Sequence, residues 1–367
     1  MEKSKVYMMD LHATPGHNLL QKLEKLLKTA GFETIDYSKK MVAVKLHFGE
    51  PGNLSYIRPN YIAVIVRMIK ELSGLPFLTD ANTLYKGKRS DAINHLQTAM
   101  KNGFNPMAVD CNVIIADGLK GTEYRKIEIN QKHCKTAKIG SAIADADIII
   151  SANHFKGHEM SGFGGALKNI GMGCGSIAGK LVMHSDSNPA VNRDNCTGCN
   201  MCVQNCNYDA IALDEHQIAV IDYSKCTGCG QCIAVCQYDA SQAQFNSQSV
   251  QEKMMEYALA VLKDKISFHI NFIMDVSPLC DCWGYNDIPF VPNVGILASF
   301  NPVAIDKASA DLVNQMPIVK GSCIDHSIKE GEDKFTSIFH NTDWRLGIDY
   351  AEKIGLGTQQ YELIKID

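Results

Sequence analysis

DIIISANHFKGHEMSGFGGALKNI occupies residues 147–170. Its first five residues read as a short, continuous apolar strand of the kind buried on both faces of a parallel sheet. Glycines crowd the turn that follows, at Gly162, Gly164 and Gly165, and a helix is expected to open over 166–169. Strand, glycine-rich turn and helix make one unit of an α/β fold. In open α/β sheets ligands bind beyond the carboxyl ends of the strands, so this turn is a candidate ligand loop. It is not a Walker loop: counted from Gly162, Leu167 and Asn169 stand where glycine and serine or threonine are required. Nor is a G-x-G-x-x-G fingerprint completed from Gly162 or Gly171. A helix start there would aim N–H groups at an anion, with Lys168 adding charge.

The same alternation extends on both sides. Apolar runs near Val6, at 41–48, within PFLTD, NVIIA and DIIIS read as strands. HNLLQKLEKLLKTAG, RPNYIAVIVRMIKELSG, SDAINHLQTAMKNG and AKIGSAIADA read as helices, the first with Gly31 as its C-terminal cap and the second with Pro59 in its first turn. The pattern stops near Ser187 and resumes after Gln248 with SVQEKMMEYALAVLKDK as a helix. ISFHINFIMDV then alternates, with Ile266, Phe268, Ile270 and Phe272 on one side and Ser267, His269 and Asn271 on the other, and Pro302 opens a further helix. The expected fold is α/β: a mainly parallel sheet flanked by helices, built from residues 1–187 and 246–367 and interrupted by a small ferredoxin-like α+β insert at 188–245. Two separate α/β domains remain an alternative, because strand order is not written in the sequence.

The interruption is an internal repeat. NCTGCNMCVQNCNYDA begins at Asn195 and KCTGCGQCIAVCQYDA at Lys225. Each half carries C-x2-C-x2-C-x3-C, the bacterial two-cluster ferredoxin run, in which the fourth cysteine of each run ligates the other cluster. One [4Fe–4S] cluster would take Cys196, Cys199, Cys202 and Cys236, the other Cys226, Cys229, Cys232 and Cys206. Gly198 and Gly228 suit a backbone passing close to a cluster. Asn207 and Gln237 stand where the run usually continues with proline. Zinc knuckles or disulfides would use the same cysteines, but the doubled triple spacing suits iron–sulfur better.

Length favours two domains over one. No apolar run is long enough to span a bilayer and no signal peptide opens the chain, so a cytoplasmic protein without a membrane partner is expected. The net charge of −4 and pI near 6.3 argue against a nucleic-acid binder. Within 188–245, six acids (Asp194, Asp209, Asp214, Glu215, Asp222, Asp239) against Arg193 and Lys225 leave −4, equal to the whole chain's charge. An acidic insert is suited to a basic redox partner protein, or is simply a solvated surface.

Beyond the repeat, His154 and His158 are candidates for proton transfer or metal ligation, and His47 could join the same cleft. Gly162, Gly164, Gly165 and Lys168 are candidates to hold a small anionic ligand. Cys280-Asp281-Cys282 could form a further metal or thiolate site with Cys174. Lys180, His184 and Asp186 each read as structural residues, and Cys111, Cys134 and Cys323 as ordinary thiols.

VKLHFGEPGN, NHFKGHEMSGFGGALKNIGMGCGS, the C-D-C at Asp281 and PNVGILASFNPVAID ending at Asp306 together resemble the domain-of-unknown-function family 362, in the subgroup with a two-cluster ferredoxin insert. The resemblance spans nearly the whole chain. It implies iron–sulfur binding and a discontinuous domain, and no settled reaction. The combined expectation is an iron–sulfur protein passing electrons to or from a ligand or redox centre in the α/β cleft, with its status as an oxidoreductase open. A non-enzymatic electron carrier docking on a partner, and a metal-delivery or maturation protein, are the alternatives.

Overall fold

A computed structural model of the chain describes residues 3–84, 87–184, 189–226, 228, 231–238, 240–243, 247–326, 328 and 331–366. Cys229, Asp186, Asp239 and the junction residues 185–188 and 244–246 lie outside the described residues.

Eight strands form one sheet: β1 (Ser4–Met9), β2 (Met41–Lys45), β3 (Leu75–Asp80), β4 (Val113–Ile115), β5 (Ile148–His154), β6 (Ile266–Ile273), β7 (Gly295–Ser299) and β8 (Tyr361–Ile366), in the order β8-β1-β7-β6-β5-β2-β3-β4. Only β7 runs antiparallel to its neighbours β1 and β6; the other pairs are parallel. β5 and β6 lie side by side, with Ile148 opposite Ile266 and His154 opposite Phe272. Strands from before and after the cysteine-rich stretch therefore share one sheet, and a division into two separate α/β sheets does not occur.

Alternate side chains of each strand feed two cores. Ile148, Ile150, Phe268, Ile270 and Phe272 pack with Leu23, Leu26 and Leu27 of helix α1 (Leu19–Thr29) and Ile62, Ile65 and Ile69 of α2 (Pro59–Glu71). Ile149 and Ala43 face the opposite core. There they meet Leu167 and Ile170 of a helix at Ala166–Cys174, Met254 and Tyr257 of one at Ser247–Leu262, and Val303 and Ile305 of one at Pro302–Gln315. The caps follow the sequence. Asn18 closes a capping box with Gln21 on α1, and Asp91 caps α3 (Ala92–Lys101). The glycine-rich stretch leads into α4 (Ala166–Cys174), followed by α5 (Ile177–His184), α6 (Ser247–Leu262) and α7 (Pro302–Gln315).

One expectation changes. AKIGSAIADA is no single helix: Thr136–Gly140 pairs antiparallel with Tyr124–Glu128, and only Ser141–Ala144 is helical. Four residues of this run, with Thr136 before it, serve a hairpin, and tertiary pairing overrode a helical pattern. The polar side of β6 is buried as well as its apolar side. Ser267 is partly buried and His269 and Asn271 are fully buried, because helices cover that face too. His269 lies 2.9 Å from Ser151 Oγ and 3.2 Å from Ser267 Oγ, and Asn271 donates to Asp306 at 2.8 Å.

The cysteine-rich stretch adds no strand to the large sheet. It forms two small antiparallel pairs, Pro189–Val191 with Ser241–Ala243 and Ile211–Leu213 with Ala219–Ile221, and two one-turn helices at Met201–Gln204 and Gln231–Ala234. Cys206, Ala210, Ile211, Ala219, Ile221 and Cys232 make its own core.

Candidate functional site

Lys45 ends β2, Asp80 ends β3 and His154 ends β5, so the carboxyl edge of the sheet is polar. Over it opens a cavity of about 770 Å³, its open mouth included. Five cationic side chains line it: Lys45, Arg89, Lys156, Lys168 and Lys180. Asp80 is the one carboxylate among the lining residues, beside His47, His158, His184 and Cys282. Three of the cations are already matched. Lys45 lies 2.9 Å from Asp80, Arg89 lies 2.8 Å from Glu50, and Lys156 lies 3.5 Å from Asp281. The other two have no carboxylate within ion-pair distance among the described residues. Lys168 donates to Cys280 Sγ at 3.1 Å, and the buried Lys180 donates to the Gly175 carbonyl. Burial pushes the Lys180 ammonium below its ordinary range. Burial also works against Lys168, but Cys280 and Cys282 outweigh it and hold that ammonium charged.

Of the candidates read from sequence, His47, His158, Gly165, Lys168 and Cys282 line this cavity, and so do Lys180 and His184, which read as structural residues. Burial, then Lys168 and Lys156, hold His158 well below the usual imidazole range. Its Nδ1 lies 3.2 Å from the Met160 amide and 3.0 Å from Ser161 Oγ, which itself donates to the Phe163 carbonyl at 2.7 Å. His154 is engaged elsewhere: Nδ1 faces the Asp281 carboxylate at 2.8 Å and Nε2 the Met274 carbonyl at 2.8 Å. The N–H groups that open α4 are occupied from within the protein. Asp306 accepts Ala166 N at 2.7 Å and Leu167 N at 2.9 Å. Gly165 makes room for it, since a Cβ there would stand 2.3 Å from Asp306 Oδ1. A polar relay continues from this carboxylate through Asn271, Asn153 and Asn169 to Lys45. Gly162 and Gly164 pair in a small hairpin with His158 and Lys156.

Sequence reading missed Lys45, Arg89 and Lys180 as site residues. Lys45 sits two residues before His47 in a stretch that the family resemblance had marked, which was the available signal. Arg89 and Lys180 had none, being brought in by α3's leading loop and by α5.

The cysteines divide. Cys174 is buried in the large core, 4.0 Å from the Asn169 carbonyl, apart from Cys280 and Cys282. Among the described residues, no three His, Cys, Asp or Glu side chains converge tightly enough to close on one metal ion. Cys196, Cys199, Cys202 and Cys236 instead line the walls of a single cavity in the cysteine-rich stretch. Backbone amides point at the sulfurs, from Ala219 to Cys196, Ser241 to Cys236, Ala210 to Cys206 and Gly228 to Cys226, at 3.3–3.5 Å. Gly198 holds φ +68°, and a Cβ there would meet the Gln217 carbonyl at 2.5 Å.

The walls of the two cavities pack against each other. Cys202 and Val235 of the cysteine-rich stretch pack against Cys280, Cys282 and Trp283. Asn207, which replaces the usual proline, donates its side-chain amide to the carbonyl of Leu84 on the rim of the cationic cavity.

The family model described as "Domain of unknown function (DUF362)" matches residues 42–311. The chain belongs to the DUF362 family. No curated protein matches this DUF362 chain. Among solved structures it is similar to the lactate racemase apoprotein from Thermoanaerobacterium thermosaccharolyticum, at 11% identity and a TM-score of 0.39, over 74% of this chain and 51% of that one. The DUF362 chain thus spans about half the length of that protein. Among its described residues, no helix is long and apolar enough to cross a membrane.

Proposed function

We propose that this protein holds two [4Fe–4S] clusters in residues 188–245 and exchanges electrons with a small anionic ligand bound in the cationic cavity of a discontinuous α/β domain, residues 1–187 and 246–367. The reading makes it an iron–sulfur oxidoreductase. The observation that carries it is the shared wall: Cys202 packs on the same turn whose Cys282 lines the cationic cavity.

The donor set fits the clusters. Cys196, Cys199, Cys202 and Cys236 stand around one cavity, as the crossed ligand rule requires. A cubane gripped at four corners keeps its ligands apart by its own width, unlike a single ion. Amides aimed at the sulfurs favour thiolate ligands. Cys206 and Cys232 share the small core with Cys226 packed on it, and Cys229 completes that second set by sequence. When bound, the clusters would supply one-electron transfer.

The α/β residues do the rest. Lys180 supplies positive charge with no carboxylate at ion-pair distance among the described residues, which is costly to bury without an anion to meet it, and Lys168 adds an ammonium that Cys280 and Cys282 keep charged. Lys45, Arg89 and Lys156 are oriented by Asp80, Glu50 and Asp281. His158, kept neutral by its surroundings, offers an imidazole to the ligand without adding charge.

Anaerobically purified protein should contain about eight irons and eight acid-labile sulfides per chain. Phosphate or a dicarboxylate should raise its melting temperature, and this shift should shrink in Lys180→Ala. Zinc without sulfide would overturn the cluster half of the reading. The absence of any anion-dependent stabilisation would overturn the cavity half.

A further inference from the structure

Cys280-Asp281-Cys282 is the turn on which both cavities converge. Cys280 is fully buried and Cys282 is half-buried on the cationic cavity's wall. Neither is in a disulfide, and they lie within hydrogen-bonding reach of each other, with Cys282 donating and Cys280 held as the thiolate by that bond and by Lys168. The residue between them is pinned. The Asp281 carboxylate meets His154 at 2.8 Å and Lys156 at 3.5 Å, and its carbonyl accepts Glu50 N at 2.9 Å. Trp283 N closes the turn on the Cys280 carbonyl at 3.1 Å. Lys168 Nζ stands 3.1 Å from Cys280 Sγ, and no third metal-binding side chain completes the pair among the described residues.

We propose that Cys280 and Cys282 are a redox dithiol that reduces small anionic disulfides entering the cationic cavity. The substrate class rests on the anionic-ligand reading above; the dithiol does not depend on it. Cys282 is the attacking sulfur because it faces the cavity, and Cys280, the thiolate behind it, takes its proton and then resolves. Cys282 Sγ bonds to one sulfur of the substrate as the substrate's S–S bond breaks, and the first product leaves as a thiolate. Cys280 Sγ then bonds to Cys282 Sγ as the mixed disulfide breaks, and the second product leaves with the proton that Cys280 holds. The substrate gains two electrons and one proton from the pair, water protonates the first product, and the pair becomes a disulfide. A bond closed across a single residue is strained and so readily reduced, so the dithiol is easily restored and reduces only disulfides more oxidising than its own.

The test uses the full chain, kept anaerobic, with dithionitrobenzoate as a dianionic disulfide and dithiodipyridine as a neutral one. Peptide mapping should find the segment carrying Cys280 and Cys282 lighter by two hydrogens, with no retained adduct. Cys282→Ser should release two fewer equivalents of thiol, and Cys280→Ser should trap the adduct on Cys282. The dianionic reagent should react at this site about ten to a thousandfold faster than the neutral one at low salt, the gap closing as salt rises. Near-ultraviolet circular dichroism matching the wild type shows that each variant is folded. A wild-type segment left as two thiols, or carrying a lasting adduct, would overturn the dithiol. Equal rates with both reagents would overturn the anionic substrate class and the cavity reading with it. Iron and sulfide measured on the same samples report separately on the clusters.

Discussion

Asp306 Oδ1 lies 2.7 Å from the amide of Ala166, so the anion that the start of α4 attracts is the protein's own carboxylate. Three donors hold Asp306 in place, yet burial keeps it protonated more readily than usual, with its pKa pushed up to about 6. Asp306→Asn would turn an NH₂ group toward backbone donors or leave one amide unmet. Stability should fall by about 1–3 kcal/mol. A urea midpoint equal to that of the wild type would show that the contact contributes nothing.

Lys180 should behave oppositely with and without ligand. Lys180→Met removes a buried ammonium with no carboxylate at ion-pair distance among the described residues, so the ligand-free protein should gain about 1 kcal/mol or more. With phosphate in excess the order should reverse, because the variant has lost a binding charge. Melting curves in the presence and absence of phosphate decide this; a variant that is less stable in both conditions would make Lys180 structural.

His269 gives a pH dependence of defined sign. Burial holds it at about 3, below the ordinary imidazole value of 6.5. Between these values the unfolded chain binds a proton that the folded chain refuses, so stability is present above pH 6.5 and lost as pH falls. Its share is about 1.4 kcal/mol per pH unit in that window. Glu159, raised to about 7 by burial, and Asp306 act in the contrary sense, since the folded state keeps their protons. The clean measurement is therefore a difference: stability of wild type minus His269→Gln, from pH 7.5 to 4.5. A flat difference would refute the assignment.

Asn207→Pro restores the residue that usually follows the fourth cysteine and deletes the bond to Leu84. Cluster content should stay unchanged while hydrogen exchange across residues 196–213 speeds up, because one tether between the two parts is gone. A loss of iron would instead place Asn207 in the support of the clusters.

The α/β class was legible because parallel strands buried on both faces read as apolar runs, DIIIS above all. Strand order was not, since neither the β5–β6 pairing nor the single reversal at β7 leaves a local mark. The cysteine repeat announced itself through spacing alone. The cavity was half legible. Lys168 and Gly165 sit in the stretch that looked like a ligand loop, but Gly165 is small to admit Asp306, 141 residues further on. A glycine's sequence does not say whether a ligand or the protein's own side chain fills the space it leaves. Lys180 looked structural because a lysine's partner, or lack of one, exists only in three dimensions.

The place of β1 in the sheet dictates an order of assembly. Met9 pairs with Ile296 on one side and with Ile366 on the other. During synthesis the first strand must wait, unpaired, until nearly the whole chain has left the ribosome. The cysteine-rich stretch closes over short sequence distances and can be complete long before. Any metallocentre there would be in place before the large sheet closes.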